Sequence, residues 1–232
     1  MKAIILAGGF GTRLQSAVPD LPKPMAPIGD QPFLAYLLRY LRKQGITSVI
    51  LSVHYLKEKI MTYFNDEFEG LQVDYVIEDE PLGTGGAMLH SLACISTTEP
   101  VFVLNGDTFV KLNYRSMYNQ HQNQETRLTF ALREVPDCSR YGSVLTDETH
   151  VTGFKEKGME GRGLINAGVY LMNSDLFHAY PVPKVFSFEQ DFILPYLPSL
   201  RPHYFMAKDY FIDIGIPEDY ARANRDLPLM MV

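Results

Sequence analysis

The sequence predicts an α/β fold, a mixed, mostly parallel sheet flanked by helices. Three observations lead there. A short continuous apolar run, Ala3–Leu6, ends in a glycine turn, as a buried parallel strand does. Strand-like and helix-like segments then alternate as far as Asp107. Beyond Asp107 the pattern turns β-rich, with short connections. Repeated βαβ units set strands in parallel and put helices on both faces, a Rossmann-like arrangement; the later strands are extra strands of a mixed sheet.

Phe33–Lys43 (FLAYLLRYLRK) carries apolar residues at 33, 34, 37, 38 and 41, one helical stripe, and Gly45 stops it. Ser48–Val53 (SVILSV) reads as the next strand and Leu56–Phe64 as a second amphipathic helix. Val73–Ile77 follows as a strand, Gly86–Ile95 as a helix and Val101–Leu104 as a strand. In the second half Leu128–Val135, Ser143–Thr146, Val151–Lys155 and Ile165–Met172 read as strands, and Phe188–Leu197 and Pro217–Asn224 as helices. There is no Ser/Gly/Pro-rich linker, repeat or low-complexity tract, so a single continuous unit is expected. Leu227–Val232 (LPLMMV) is an apolar tail to which the sequence assigns no role.

The 232 residues suffice for a sizeable core, and 46% hydrophobic with 21% charged residues is an ordinary globular composition. Lys and Arg number 21 against 27 Asp and Glu, a formal charge of −6, which argues against a protein that coats nucleic acid. Cys94 and Cys138 are too few for a disulfide framework or a four-cysteine zinc site; both are expected as reduced, buried thiols of a cytoplasmic protein. No stretch approaches the roughly 18 apolar residues of a membrane span, and no membrane partner is expected. The six histidines show no close ligand pairing.

Chemistry begins at Leu6-Ala7-Gly8-Gly9-Phe10-Gly11-Thr12-Arg13-Leu14, directly after the first strand. Glycines let backbone N–H groups approach phosphate oxygens, and Arg13 adds a cation able to bridge two of them. Leu14 stands where the dinucleotide fingerprint needs glycine, and no GK[ST] follows, so neither that motif nor a Walker loop is present. Lys23 lies between Pro22 and Pro24, which stiffen the backbone that aims it. Asn105-Gly106-Asp107 ends an apolar strand, the position where open α/β sheets bind ligands. Asp213 lies in a second acidic loop; Asp107 and Asp213 together suit Mg²⁺, which takes one or two carboxylates plus phosphate oxygens, if folding unites them.

LAGGFGTRL followed by LPKPM resembles the signature of the sugar-1-phosphate nucleotidyltransferases, the nucleotide-sugar pyrophosphorylases. The likeness continues through EPLGTGG (80–86), LNGD (104–107), FKEK (154–157), INAGVY (165–170) and FIDIGIP (211–217), nearly the whole chain. KPMAPIGDQPFLAYLLRYL, EPLGTGGA and VLNGDTF are most similar to those members that act as D-glycero-α-D-manno-heptose 1-phosphate guanylyltransferases. Gly158 and Phe211 depart from the common pattern, where relatives often have proline and a bulkier aromatic.

The resemblance implies one nucleotidyltransferase domain, with a nucleotide-binding part over about 1–110 and an inserted β-rich, sugar-binding region over about 111–232. It implies that Arg13 and Lys23 are catalytic and that Asp107 and Asp213 hold the metal. Leu6, Ala7, Gly8, Gly9, Gly11, Thr12 and Arg13, with Glu78, Glu80, Pro81, Gly83 and Thr84, are then the nucleotide site. Glu78 or Glu80 is the candidate guanine reader, since a carboxylate accepts from the N1–H and N2–H₂ edge; Asp79 reads as a solvated neighbour. Asn105, Tyr141, Gly142, Glu156, Lys157, Asn166 and Gly168 are expected to hold the sugar phosphate. The expected reaction joins GTP to a sugar 1-phosphate, manno-heptose 1-phosphate, with release of pyrophosphate. Uracil or thymine as the base, mannose, glucose or N-acetylmuramate as the sugar, and a binding-only regulatory subunit stay open as alternatives. A homo-oligomer is compatible with the apolar tail and aromatics.

Overall fold

The computed structural model describes residues 1–9, 14, 18–155, 158 and 160–230. The chain divides into two compact units, one comprising Met1–Pro81, Leu104–Phe109 and Ile212–Val232, the other Leu82–Val103 and Val110–Phe211.

In the first unit the strand Lys2–Leu6 runs parallel to Ser48–Val53, pairing Lys2 with Ser48 and Leu6 with Ser52. Ser48–Val53 runs parallel to Leu71–Ile77, and the short strand Glu67–Phe68 turns back antiparallel onto Leu71–Ile77. Ile4, Ile5, Val49, Leu51 and Val53 are almost wholly buried, which explains why Lys2–Leu6 and Ser48–Val53 read as mostly apolar runs. The helix Phe33–Lys43 buries Phe33, Leu34, Leu37, Leu38 and Leu41, the stripe expected from the sequence. Each such burial contributes about 1.5–3 kcal/mol relative to exposure. Arg42 and Lys43 in its last turn suit the negative end of the helix dipole, and Gly45, at φ +88°, follows the Gln44 cap. The last helix is longer than expected. It spans Pro217–Met230 and takes in most of the apolar tail, burying Leu227 while Leu229 stays exposed.

In the second unit Leu128–Val135 pairs antiparallel with Gly163–Met172 and parallel with His203–Met206. Ser143–Thr146 and Val151–Lys155 form a separate hairpin. The helix expected at Gly86–Ile95 begins earlier, at Gly83, and ends at Ala93. Its glycines are there for packing, since a Cβ at Gly85 would stand 2.2 Å from the Phe186 ring. Phe188–Leu197, expected as one helix, is a wider π-turn over Phe188–Ile193 followed by an α-helix, Leu194–Leu200. Pro195 sits at that junction and has no N–H to give an ordinary helical turn.

Tyr114–Asn123 is a helix the sequence pattern does not announce. Its polar residues hide a narrow buried face of Tyr114, Met117 and His121, and the Asn113 side chain caps it by accepting from Ser116 N at 2.9 Å. Cys138 is buried as expected, whereas Cys94, the residue that ends the Gly83–Ala93 helix, is exposed. No helix among the described residues is long and apolar enough to cross a membrane. The mixed, mostly parallel pairing with flanking helices is the architecture the sequence predicts.

Candidate active site

The site is built in the first unit from strand ends, the glycine loop, the Lys23 turn and the two acidic loops. After Leu6 the chain leaves its strand, and Ala7 N still donates to Ser52 O at 2.8 Å, which holds the start of the glycine loop against the neighbouring strand. Gly8 and Gly9 follow, half-buried and exposed. The Asn105-Gly106-Asp107 turn presses onto the same place, with Gly106 N donating to Leu6 O at 2.9 Å. A Cβ on Gly106 would lie 2.7 Å from that carbonyl oxygen, so only glycine lets the turn come so close.

Lys23 starts a short 3₁₀ turn, Lys23–Met25. Pro22 and Pro24 are buried on either side of it, and Ala26 N closes the turn on Lys23 O at 3.0 Å. The backbone is thus fixed while the side chain extends away, and only 10% of that side chain is exposed. Its ammonium donates to Asp107 Oδ2 at 2.5 Å and to Asp213 Oδ1 at 3.3 Å.

Further contacts tie the two aspartates into one cluster. Ile214 N donates to Asp107 O at 3.1 Å, joining the two acidic loops. Thr108 Oγ1 donates to Asp107 Oδ1 at 3.1 Å, and Gly215 N to Asp213 Oδ1 at 2.8 Å. Burial raises the Asp213 carboxyl above its ordinary pKa and the Asp107 charge adds to this, while Lys23 and the Gly215 N–H act in the opposite direction.

Two carboxylates therefore direct oxygens at one cationic centre, the Lys23 ammonium. Hard oxygen donors converging on a shared positive charge are the donor set that Mg²⁺ takes when phosphate oxygens and waters complete its shell. Asp107 and Asp213 fit that ion. Among the described residues no larger His, Cys, Asp or Glu cluster does.

Glu78 and Glu80 have different surroundings. Glu80 and Asp79 are exposed, as is Pro81. Glu78 is buried, 7% exposed. Ser52 Oγ donates to its Oε1 at 2.8 Å, and the His54 ring bonds its backbone carbonyl through Nδ1 at 2.7 Å. A Cβ on Gly8 would lie 3.0 Å from Glu78 Oε1, so Gly8 packs close to this carboxylate. Ser52 and His54 read in the sequence only as a strand residue and its neighbour. The available signal was a small hydroxyl and an imidazole at the C-terminal end of an otherwise apolar strand.

Gly83, Thr84, Tyr141, Gly142, Asn166 and Gly168 belong to the second unit. Gly83, at φ +71°, and Thr84 seat the 186–188 segment; Thr84 Oγ1 accepts from Phe188 N at 3.0 Å. Tyr141 lies edge-on to Phe211, ring centroids 5.8 Å apart, with the Arg140 guanidinium 5.1 Å from its own ring centre. Asn166 opens a bulge in its strand, donating to Tyr170 Oη at 2.8 Å and accepting from Gly168 N at 3.1 Å. Asn105, in the first unit, is half-buried beside the Gly106 turn. Gly11, Thr12, Arg13, Glu156 and Lys157 lie outside the described residues.

The nucleotidyl transferase family matches residues 2–228. The chain is 46% identical over 227 residues to the D-glycero-alpha-D-manno-heptose 1-phosphate guanylyltransferase of Aneurinibacillus thermoaerophilus, 98% of each protein. It is 46% identical over 221 residues to the Campylobacter jejuni enzyme of the same name, covering 95% of this chain and 97% of that one. Among solved structures it resembles HddC from Yersinia pseudotuberculosis, with TM-score 0.85, 41% identity and coverage of 96% and 97%. HddC complexed with GMP-PN gives 0.84. The fold, the glycine-loop signature and these likenesses agree, and the chain belongs to the nucleotidyl transferase family.

Proposed function

We propose that this protein is a sugar-1-phosphate guanylyltransferase that joins GTP to D-glycero-α-D-manno-heptose 1-phosphate and releases pyrophosphate. One observation carries the chemistry: Lys23, Asp107 and Asp213, remote in sequence, meet in a single charged cluster beside the glycine loop. The sugar is supported by near full-length likeness to the two heptose 1-phosphate guanylyltransferases. The base is supported by the buried Glu78 carboxylate beneath Gly8 and by the HddC complex with GMP-PN.

An anomeric phosphate oxygen attacks the α-phosphorus in line. A new P–O bond forms and the bond to the bridging oxygen of the β-phosphate breaks. The attacking phosphate is already ionised, its second pKa being about 6, so no strong base is required. The barrier is the approach of two anions, and positioning with charge neutralisation lowers it. In this reading Gly8 and Gly9 backbone groups, with Gly11, Thr12 and Arg13, hold the β- and γ-phosphates. Lys23 meets the charge that redistributes on the α-phosphate. Glu78 accepts from guanine. Tyr141, Gly142, Glu156, Lys157, Asn166, Gly168 and Asn105 serve the sugar phosphate. Asp107 and Asp213 would hold Mg²⁺, which when bound supplies positive charge to phosphate oxygens. A cytoplasmic location accords with two free cysteines.

The test is a pyrophosphate-release screen of GTP, UTP, dTTP, CTP and ATP, each with mannose 1-phosphate and with manno-heptose 1-phosphate. GTP with the heptose phosphate is expected to give the highest kcat/KM. Preference for a pyrimidine triphosphate overturns the base assignment, and preference for mannose 1-phosphate overturns the sugar. Silence with every pair favours the regulatory-subunit alternative.

A further inference from the structure

We infer that Ser52 is a positioning residue for nucleobase selection, acting through the Glu78 carboxylate. The inference rests on the reading of Glu78 as the guanine acceptor and adds a residue to it. Ser52 is wholly buried in the strand Ser48–Val53, and its Oγ donates to Glu78 Oε1 at 2.8 Å. Glu78 comes just after the parallel neighbour strand Leu71–Ile77, whose last pairing in this ladder is Val53 with Ile77. The backbone is held there as well: Glu78 N donates to Val53 O at 2.9 Å, and His54 Nδ1–H donates to Glu78 O at 2.7 Å.

These bonds fix where Glu78 starts but not how its carboxylate is turned. A glutamate side chain has three rotatable bonds, and its terminal torsion is broad. The Ser52 hydroxyl restrains that torsion by holding one oxygen. Gly8 lies close to the same oxygen, since a Cβ there would stand 3.0 Å from Oε1. A carboxylate offers about four lone-pair sites, and the Ser52 bond takes one of them and so orients the group. Reading a paired N1–H and N2–H₂ edge demands such orientation, because two parallel bonds form only when the carboxylate plane matches the base plane. A buried hydroxyl placed on the reader, and not on the ligand, lets the strand register set the angle.

The experiment compares GTP with ITP, which keeps N1–H and lacks the 2-amino group. The ratio of the two kcat/KM values is measured for wild type, Ser52→Ala, Glu78→Gln and the double variant. The ratio is taken within one preparation, so the folded fraction cancels. Ser52→Cys fills nearly the same space and donates weakly, and reads the same loss if the alanine variant does not fold.

Glu78→Gln is expected to lower the GTP-over-ITP preference about tenfold, the low end for one hydrogen bond to a charged group, and Ser52→Ala about three- to tenfold, the net scale of an ordinary hydrogen bond. The double variant is expected to match Glu78→Gln. A Ser52→Ala preference equal to wild type, while Glu78→Gln falls, overturns the role of Ser52. A further drop in the double variant overturns action through Glu78. An unchanged preference in Glu78→Gln overturns the Glu78 reading itself and this inference with it.

Discussion

Replacing Gly106 by alanine tests whether the closeness of the Asn105-Gly106-Asp107 turn to the first strand is what places the acidic cluster. The added Cβ would stand 2.7 Å from the Leu6 carbonyl oxygen and 3.3 Å from Ala7 Cα, where ordinary contact begins at 3.4 Å. Both obstacles are backbone, so no side chain can swing away. The same oxygen accepts the Gly106 N–H at 2.9 Å, so relieving the overlap means opening that bond. Forced shifts of this kind cost about 1–3 kcal/mol, and the bond about 0.5–1.5 kcal/mol more. In a chain of this size each kcal/mol moves the melting midpoint by about 2–4 °C, so a loss of about 2–4 kcal/mol lowers it by about 4–16 °C. Asp107 is the next residue, and a misplacement approaching 1 Å costs about 10²-fold in rate. The assays are thermal melting by circular dichroism and pyrophosphate release. Gly153→Ala is the control, because its Cβ would meet only the flexible Leu145 side chain, at 3.4 Å. A Gly106→Ala protein that melts no lower than Gly153→Ala and turns over like wild type would refute the reasoning.

Lys23→Met is expected to lower turnover by about 10²–10³-fold, the usual cost of one preorganised charge donor; turnover near wild type removes Lys23 from the mechanism. Chelation is expected to abolish turnover and added Mg²⁺ to restore it. In Asp107→Asn and Asp213→Asn the Mg²⁺ concentration giving half-maximal rate is expected to rise; an unchanged Mg²⁺ response in both removes these carboxylates from the metal site. His121 is 1% exposed, bonded through Nδ1 to Thr129 Oγ1 at 2.8 Å and through Nε2 to Asn173 Oδ1 at 3.1 Å. The neutral Nε2–H tautomer satisfies both partners, and burial lowers its pKa, an effect that the Asn173 bond partly offsets. The unfolded chain then takes up the proton first, so the stability from His121 is intact above about pH 6.5 and is lost as the pH falls below that value. Urea midpoints at pH 7.5 and 5.5 should differ less in His121→Gln than in wild type, and an equal difference would exclude this histidine.

The fold was legible where one period dominated. Phe33–Lys43, Ser48–Val53 and Leu128–Val135 follow from the sequence to the residue, because an apolar stripe or a short, largely apolar run leaves little choice. Tyr114–Asn123 was not legible, because three buried side chains among seven mostly polar ones give no stripe, and its cap is a single asparagine. The Lys23 turn shows in the sequence as a cation between prolines. The meeting of Lys23 with Asp107 and Asp213 does not, since nothing local links segments 84 and 190 residues away; the family resemblance alone put them together. Gly83 read as a nucleotide contact and Gly86 as a helix start, while the physical demand visible on Gly85 between them, the Phe186 ring, had no sign in the sequence. Ser52 was hidden because a buried serine in a strand carries no pattern of its own.

The charge of the cluster bears on how an acidic protein accepts two anionic substrates. With a net charge of −6 the protein as a whole does not attract a polyphosphate, so attraction must come from groups close by. Screening limits exposed charges to about 8 Å at physiological ionic strength, which favours a local solution. Two ionised carboxylates and one ammonium sum to −1, a cluster that would itself repel phosphate. In the proposed reading a divalent ion on the same carboxylates would change the sum to +1. The aspartates would then seat positive charge, and the burial that raises the Asp213 pKa strengthens the demand for it. Lys23 already meets part of that demand. Its long side chain carries about 2 kcal/mol of rotamer entropy when free. Here two aspartates and two buried prolines hold it in the folded protein, so little of that ordering is left to oppose substrate binding.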